Sequence, residues 1–150
     1  MCFKLAKYLR NIGQDTEYFP SKDFDKITEL ARADQRVIVT RDKYYFKKQT
    51  GVPCFLLGNI NSSFQLAEVI EFFKLKTPTE KILSRCVKCN HDQFSLLGID
   101  KAKTKVNFKD MENYYRYKEF WECNKCKTIY WDGQTYKKAK DRFHQFTLPK

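Results

Sequence analysis

Residues 36–42 read RVIVTRD. Val37, Ile38 and Val39 have the β-branched, apolar make-up of a buried strand. The run ends on a hydroxyl, a cation and an anion: Thr40, Arg41 and Asp42. In open parallel sheets the carboxyl ends of the strands are where ligands bind. Asp42 therefore has two readings, as a metal-binding or catalytic acid and as the N-cap of a helix beginning at KYYFKK, residues 43–48.

The surrounding sequence supplies the rest of an α/β pattern. Leu5, Leu9 and Ile12 share one face of a first helix that Gly13 terminates. Thr16–Phe19 reads as a short strand closed by Pro20. Residues 21–34 place Phe24, Ile27, Leu30 and Ala31 on one helical face. After RVIVT comes a short helix, Tyr44 to Lys48, broken by Gly51, and then VPCFLL, residues 52–57, as a second apolar strand. GNINSS turns the chain, with Ser62 or Ser63 as the next N-cap, into a helix over 64–75 with Phe64, Ala67, Ile70 and Phe73 or Leu75 inward. Short apolar strands alternating with helices predict a parallel sheet with crossover connections. The alternation opens on a helix, with no strand before it.

KTPTEK, residues 76–81, reads as a linker between an α/β domain over 1–76 and a second module over 77–150. The second module changes texture to cysteines, aromatics and lysines. Cys86-Val87-Lys88-Cys89 and Cys123-Asn124-Lys125-Cys126 are both CxxC, with 33 residues between them. Two such knuckles can present four thiolates tetrahedrally to zinc at about 2.3 Å each, a closed structural site. The lysines inside both knuckles suit the negative charge of that site. FWECNKCKTIYWDG, residues 120–133, alternates like a hairpin, with Asp132-Gly133 as its turn or exit. His91 is an alternative fourth ligand and a redox role an alternative function. Cys54 reads as core and Cys2 as inert.

At 150 residues, 42% hydrophobic and 16% aromatic, the chain is folded and has a real core. Its 29 Lys and Arg against 18 Asp and Glu give a net charge of +11. The excess is uneven: 13 cations against 9 anions in 1–76, and 16 against 9 in 77–150. Such a surface favours polyanions. No apolar run reaches membrane-spanning length, which predicts no membrane partner, and the amino end lacks a secretory h-region. Tyr114, Tyr115, Tyr117, Phe120, Trp121, Tyr130, Trp131 and Tyr136 mix with Lys118, Lys125, Lys127, Lys137 and Lys138. That mixture suits single-stranded RNA through phosphate contacts and base stacking. It also suits a small ribbon that uses its rings as a core.

Taken in order, LAKYLRNIG (5–13), DKITELARADQRVIVTRD (25–42), SRCVKCN (84–90) and FWECNKCKTIYWDG (120–133) resemble the Mut-seven C-terminal RNase domain. The resemblance implies a PIN-like parallel sheet followed by a zinc ribbon, at the carboxyl end of a 3′–5′ exoribonuclease. It implies Asp25 and Asp42 as carboxylates for Mg²⁺ or Mn²⁺, with Asp23 competing with Asp25 to cap its helix, and Arg41 and Lys43 facing phosphate or solvent. It also implies an intracellular protein of small-RNA silencing, in the cytoplasm, perinuclear granules or nucleus. Two departures stand out. The family's first strand, ending in an aspartate, has no counterpart ahead of MCFKLAKYLR. Its Ser-His-aromatic run after the ribbon glycine reads Gln134-Thr135-Tyr136. The expectation is an RNA-binding, partner-docking domain without cleavage of its own, whose strand RVIVT has an edge open to an upstream segment or a partner strand. The alternative is a metal-dependent endoribonuclease using Asp25 and Asp42.

Overall fold

A computed structural model describes residues 2–48, 50–108, 112–117 and 119–144. Lys118 and the side chain of Tyr114, both among the candidate RNA contacts, lie outside the described residues. The chain packs as two compact units, Met1–Tyr8 with Glu17–Leu75, and Leu9–Thr16 with Lys76–Lys150.

In the first unit, α2 (Phe24–Ala33), β1 (Ile38–Thr40), α3 (Lys43–Lys47), β2 (Cys54–Leu56) and α4 (Ser62–Phe73) follow α1 (Phe3–Asn11). The two strands are parallel, with Ile38 opposite Cys54, Val39 opposite Phe55 and Thr40 opposite Leu56. Among the described residues β1 pairs with β2 alone. Ala31, Ile38, Tyr45 and Val52 form the core, with Phe24, Ile27 and Cys54 packed on it. Tyr45 joins it without stranding its hydroxyl, which lies 2.7 Å from the Thr28 hydroxyl. A buried hydroxyl needs such a partner.

Three local expectations change. Thr16–Phe19 is not a strand; Thr16 gives its N–H to the Asn90 side chain at 3.0 Å and its carbonyl to Arg10 at 2.8 Å. Those bonds satisfy the backbone without a ladder. The cap of α4 is Asn61, which accepts from the Ser63 N–H at 2.8 Å, not Ser62 or Ser63. The buried face of α4 is Gln65, Leu66 and Val69, while Phe64 is 64% exposed and Ala67 is exposed. Gln65 can go inside because its amide donates to the carbonyls of Asn59 and Ile60.

The second unit is built on an antiparallel sheet, β3 (Phe94–Leu97), β4 (Phe120–Cys123) and β5 (Ile129–Trp131), with β4 in the middle. Strand β3 is an addition to the pattern read from the sequence. Its register sets Phe94 opposite Cys123 and Leu97 opposite Phe120. One face packs Phe120 against Ala102 of α5 (Ile99–Lys105), with Leu97, Ile99, Phe108, Tyr117, Ile129 and Trp131 around them. On the other, Phe94 meets Tyr130 edge-on, and Trp121 stacks on Tyr136 of α7 (Gln134–His144). Most ribbon rings are therefore core; Tyr115, in α6 (Glu112–Arg116), is 65% exposed. Asp132-Gly133 is the exit into α7, and the turn between β4 and β5 is the second cysteine knuckle itself.

Candidate metal centre

Each knuckle is a turn closed by the same pair of backbone bonds. Cys86 N–H donates to the His91 carbonyl at 2.7 Å and Asn90 N–H to the Cys86 carbonyl at 2.8 Å. Cys123 N–H donates to the Thr128 carbonyl and Lys127 N–H to the Cys123 carbonyl, both at 3.0 Å. The residue after each second cysteine is left-handed: Asn90 has φ 71° and Lys127 φ 59°. The two knuckles are therefore one structure made twice, from different parts of the chain.

Together they gather four sulfurs. The Sγ atoms of Cys86, Cys89, Cys123 and Cys126 all lie within 4.8 Å of one another. Cys86 Sγ is 3.4 Å from Cys126 Sγ, and Cys89 Sγ is 3.5 Å from Cys123 Sγ. Four sulfurs at about 2.3 Å from a tetrahedral metal would lie about 3.8 Å apart, so the set fits an ion at its centre. Cys86 and Cys123 are buried and the other two half-buried. His91 supplies its carbonyl to the knuckle; the four cysteines are the group that can hold a metal ion among the described residues.

The thiols differ in how readily they ionise. Burial pushes Cys89 up to about 12 and also raises Cys123. Burial opposes ionisation of Cys126 as well, but the Thr128 hydroxyl and N–H and the neighbouring sulfurs bring it down to about 6. The Thr128 hydroxyl is 3.2 Å from Cys126 Sγ, and the Tyr130 hydroxyl 3.1 Å from Cys86 Sγ. A divalent cation removes the conflict by neutralising part of the charge on all four.

The segment Leu9–Thr16 is fastened to the first knuckle. Arg10, 3% exposed, donates to the carbonyls of Val87 at 2.9 Å and Lys88 at 3.1 Å. Arg85 donates to the Gly13 and Asn90 carbonyls, and the Asn90 amide to Asp15. Gly13 closes α1 at φ 79°, where a β-carbon would meet the Lys81 carbonyl oxygen at 2.5 Å. No sequence signal marks Arg10, since one arginine on an amphipathic helix normally reads as solvated.

At the end of β1, Asp42 caps α3: its carboxylate accepts from the Tyr45 N–H at 2.8 Å. Asp23 caps α2, accepting from Lys26 N–H at 3.1 Å, and Asp25 is exposed in the first turn of that helix. Arg41, Lys43, Lys125, Lys127, Lys137 and Lys138 are all placed on the surface, Lys125, Lys127, Lys137 and Lys138 along the ribbon and α7. Lys127 also lies 3.7 Å from Glu122, which pairs with Lys105 as well. Those contacts hold the Glu122 carboxyl below the usual range, chiefly through the Lys105 hydrogen bond.

Residues 1–143 match the family model described as the Mut7-C RNAse domain. The human protein named "Exonuclease mut-7 homolog" is 28% identical over 104 residues, which cover 66% of this chain and 12% of that protein. The chain thus spans a small fraction of the curated relative's length. No solved structure matches. Among the described residues no helix is long and apolar enough to cross a membrane.

Proposed function

Starting from the fact that the chain belongs to the Mut7-C RNase domain family, we propose that it is an RNA-binding domain, folded around a structural zinc, that works beside a 3′–5′ exonuclease. The observation that carries this reading is the set of surface lysines on the ribbon, Lys125, Lys127, Lys137 and Lys138, in a chain of charge +11. Lysines of this kind neutralise phosphates and release counterions, whatever the base sequence. Arg41 and Lys43 add cations at the end of β1. The rings of the ribbon act mainly as its core, so phosphate contact outweighs base stacking in the proposed interface.

Zinc is the metal that a closed set of four thiolates suits, since it needs no redox partner and is at home in tetrahedral sulfur coordination. With all four positions taken by protein, the ion's contribution is to hold the knuckles together. The side chains around it withdraw charge from the sulfurs: the Tyr130 hydroxyl at Cys86 and the Thr128 hydroxyl at Cys126.

The domain is proposed not to cleave RNA by itself. Asp42 is engaged as a helix cap and Asp25 is an exposed first-turn residue, whereas a hard cation needs several oxygens from one site. A metal-dependent endoribonuclease using Asp25 and Asp42 is the competing reading. The edge of β1 not paired to β2 is the proposed docking place for a partner strand or an upstream segment, by strand addition. Action in small-RNA silencing completes the proposal and rests on the family likeness.

The test is RNA affinity against salt. Binding of single-stranded RNA should weaken steeply as salt rises. Neutralising Lys125, Lys137 and Lys138 to Gln together should weaken binding across sequences and lower the salt slope by about two to three units, roughly one for each phosphate no longer neutralised. If the triple variant binds like the parent with the same slope, the ribbon is not the RNA surface.

A further inference from the structure

Among the described residues, Arg10 is a buried cation with no carboxylate among its hydrogen-bond acceptors. Its guanidinium donates to three backbone carbonyls, those of Thr16, Val87 and Lys88. Two of the three belong to the stretch between Cys86 and Cys89. A buried charge is costly unless something offsets the lost hydration, and here three carbonyl oxygens do so.

The two carbonyls that Arg10 holds inside the first knuckle, those of Val87 and Lys88, form the turn between its two cysteines. The guanidinium therefore fixes the part of the chain that decides where Cys86 and Cys89 present their sulfurs. Cys86 is fully buried, so a shift of that turn cannot be absorbed by moving its side chain into solvent.

We propose that Arg10 is a positioning residue of the metal centre: by holding the Val87 and Lys88 carbonyls it fixes the first knuckle so that Cys86 and Cys89 face the ion. This rests on the reading that the four cysteines bind metal. Partners one step out from a ligand typically set metal affinity by about ten- to a hundredfold. Arg10 has no sequence proximity to the cysteines, lying 76 positions before Cys86, and couples the carboxyl end of α1 to the state of the centre.

The experiment uses the 150-residue chain loaded with zinc and, in parallel, with cobalt. Affinity is measured by chelator competition, and the cobalt form gives the thiolate-to-metal charge-transfer bands. Arg10→Gln is expected to weaken zinc binding at least about tenfold and shift those bands. Arg10→Lys keeps the charge but cannot reach three carbonyls at once, so it should fall between parent and Arg10→Gln. Gly13→Ala serves as a control that loosens the same segment without removing the bonds to Val87 and Lys88, and it should leave the cobalt bands in place. Arg10 variants with parental zinc affinity and parental cobalt bands would overturn the proposal. If Arg10→Gln fails to fold even with saturating metal, the cobalt spectrum of Arg10→Lys decides: shifted bands support the assignment and unshifted bands overturn it. A parent chain that takes up no metal would instead refute the metal reading itself.

Discussion

Cys123→Ser should unfold the ribbon and leave the first unit standing. The Cys123 sulfur is fully buried and 3.5 Å from Cys89 Sγ, and its residue ends β4, the central strand. The cluster beside it is small, with Ala102 and Phe120 its two fully buried members. Burying a phenylalanine stabilises by roughly 2–3 kcal/mol, whereas a bound structural zinc is worth on the order of 10–16 kcal/mol of apparent folding free energy at neutral pH. A bound metal would therefore outweigh any single core side chain, and losing it would cost about as much as a domain of this size holds in total, roughly 5–15 kcal/mol. Native fluorescence provides the assay. The chain has two tryptophans, Trp121 in β4 and Trp131 in β5, so indole emission reports on the ribbon alone. Cys123→Ser, or the parent stripped with a strong chelator, should show red-shifted emission with part of the helical circular dichroism retained. Acid should do the same. Ligand thiolates bind an ion only when deprotonated, so protons compete with a bound metal and its contribution falls as the pH drops. Unshifted emission with an unchanged melting temperature after complete stripping would mean that the ribbon folds without its metal.

Glu68 accepts from Gly58 N–H at 2.8 Å and from Asn59 N–H and side chain, and the Gly58 bond is the main reason its carboxyl is held below the usual range. Glu68→Gln should cost about 0.5–1 kcal/mol at neutral pH, discounted for its exposure to solvent. That stability is present above the normal carboxylate range and lost as pH falls through the depressed value, so in urea denaturation the gap between variant and parent should shrink as the pH is lowered. Asp42→Ala should cost about 1 kcal/mol for the lost cap and Asp42→Asn much less, because Asn caps nearly as well; thermal melts of the two distinguish cap from bystander. Gly13→Ala should cost more than about 1 kcal/mol in thermal denaturation, from a left-handed backbone and the Lys81 carbonyl 2.5 Å from the new carbon.

The parts legible from the chain were those carried by spacing. Leu5, Leu9 and Ile12 are all buried as their helical period requires, and the cysteine pairs found one another because CxxC fixes both ligands of a knuckle. The phase of α4 was not legible. Phe64, Leu66, Ala67, Val69, Ile70, Phe72 and Phe73 are apolar on nearly every side, and the face that went inside was chosen by Gln65, whose amide answers two loop carbonyls. Strand β3 is hidden because its middle residues Ser95 and Leu96 are exposed and its ends half-buried, which breaks the alternation that marks a strand. The knuckle corners are hidden too, since Asn90 and Lys127 adopt the left-handed backbone where glycine would have announced it. Arg10 reaches the first knuckle by a fold-level contact that no local pattern encodes.

Binding of RNA without cleaving it is checked by incubating the zinc-loaded chain with end-labelled single-stranded RNA and Mn²⁺ or Mg²⁺. Retention and cleavage are scored in the same samples, for the parent and for Asp42→Asn. Both proteins should retain RNA in a salt-sensitive way, slightly more tightly for Asp42→Asn because a negative charge is gone, and the RNA should stay full-length throughout. Mn²⁺-dependent cleavage by the parent that Asp42→Asn abolishes would contradict this and establish Asp42 as a nuclease carboxylate.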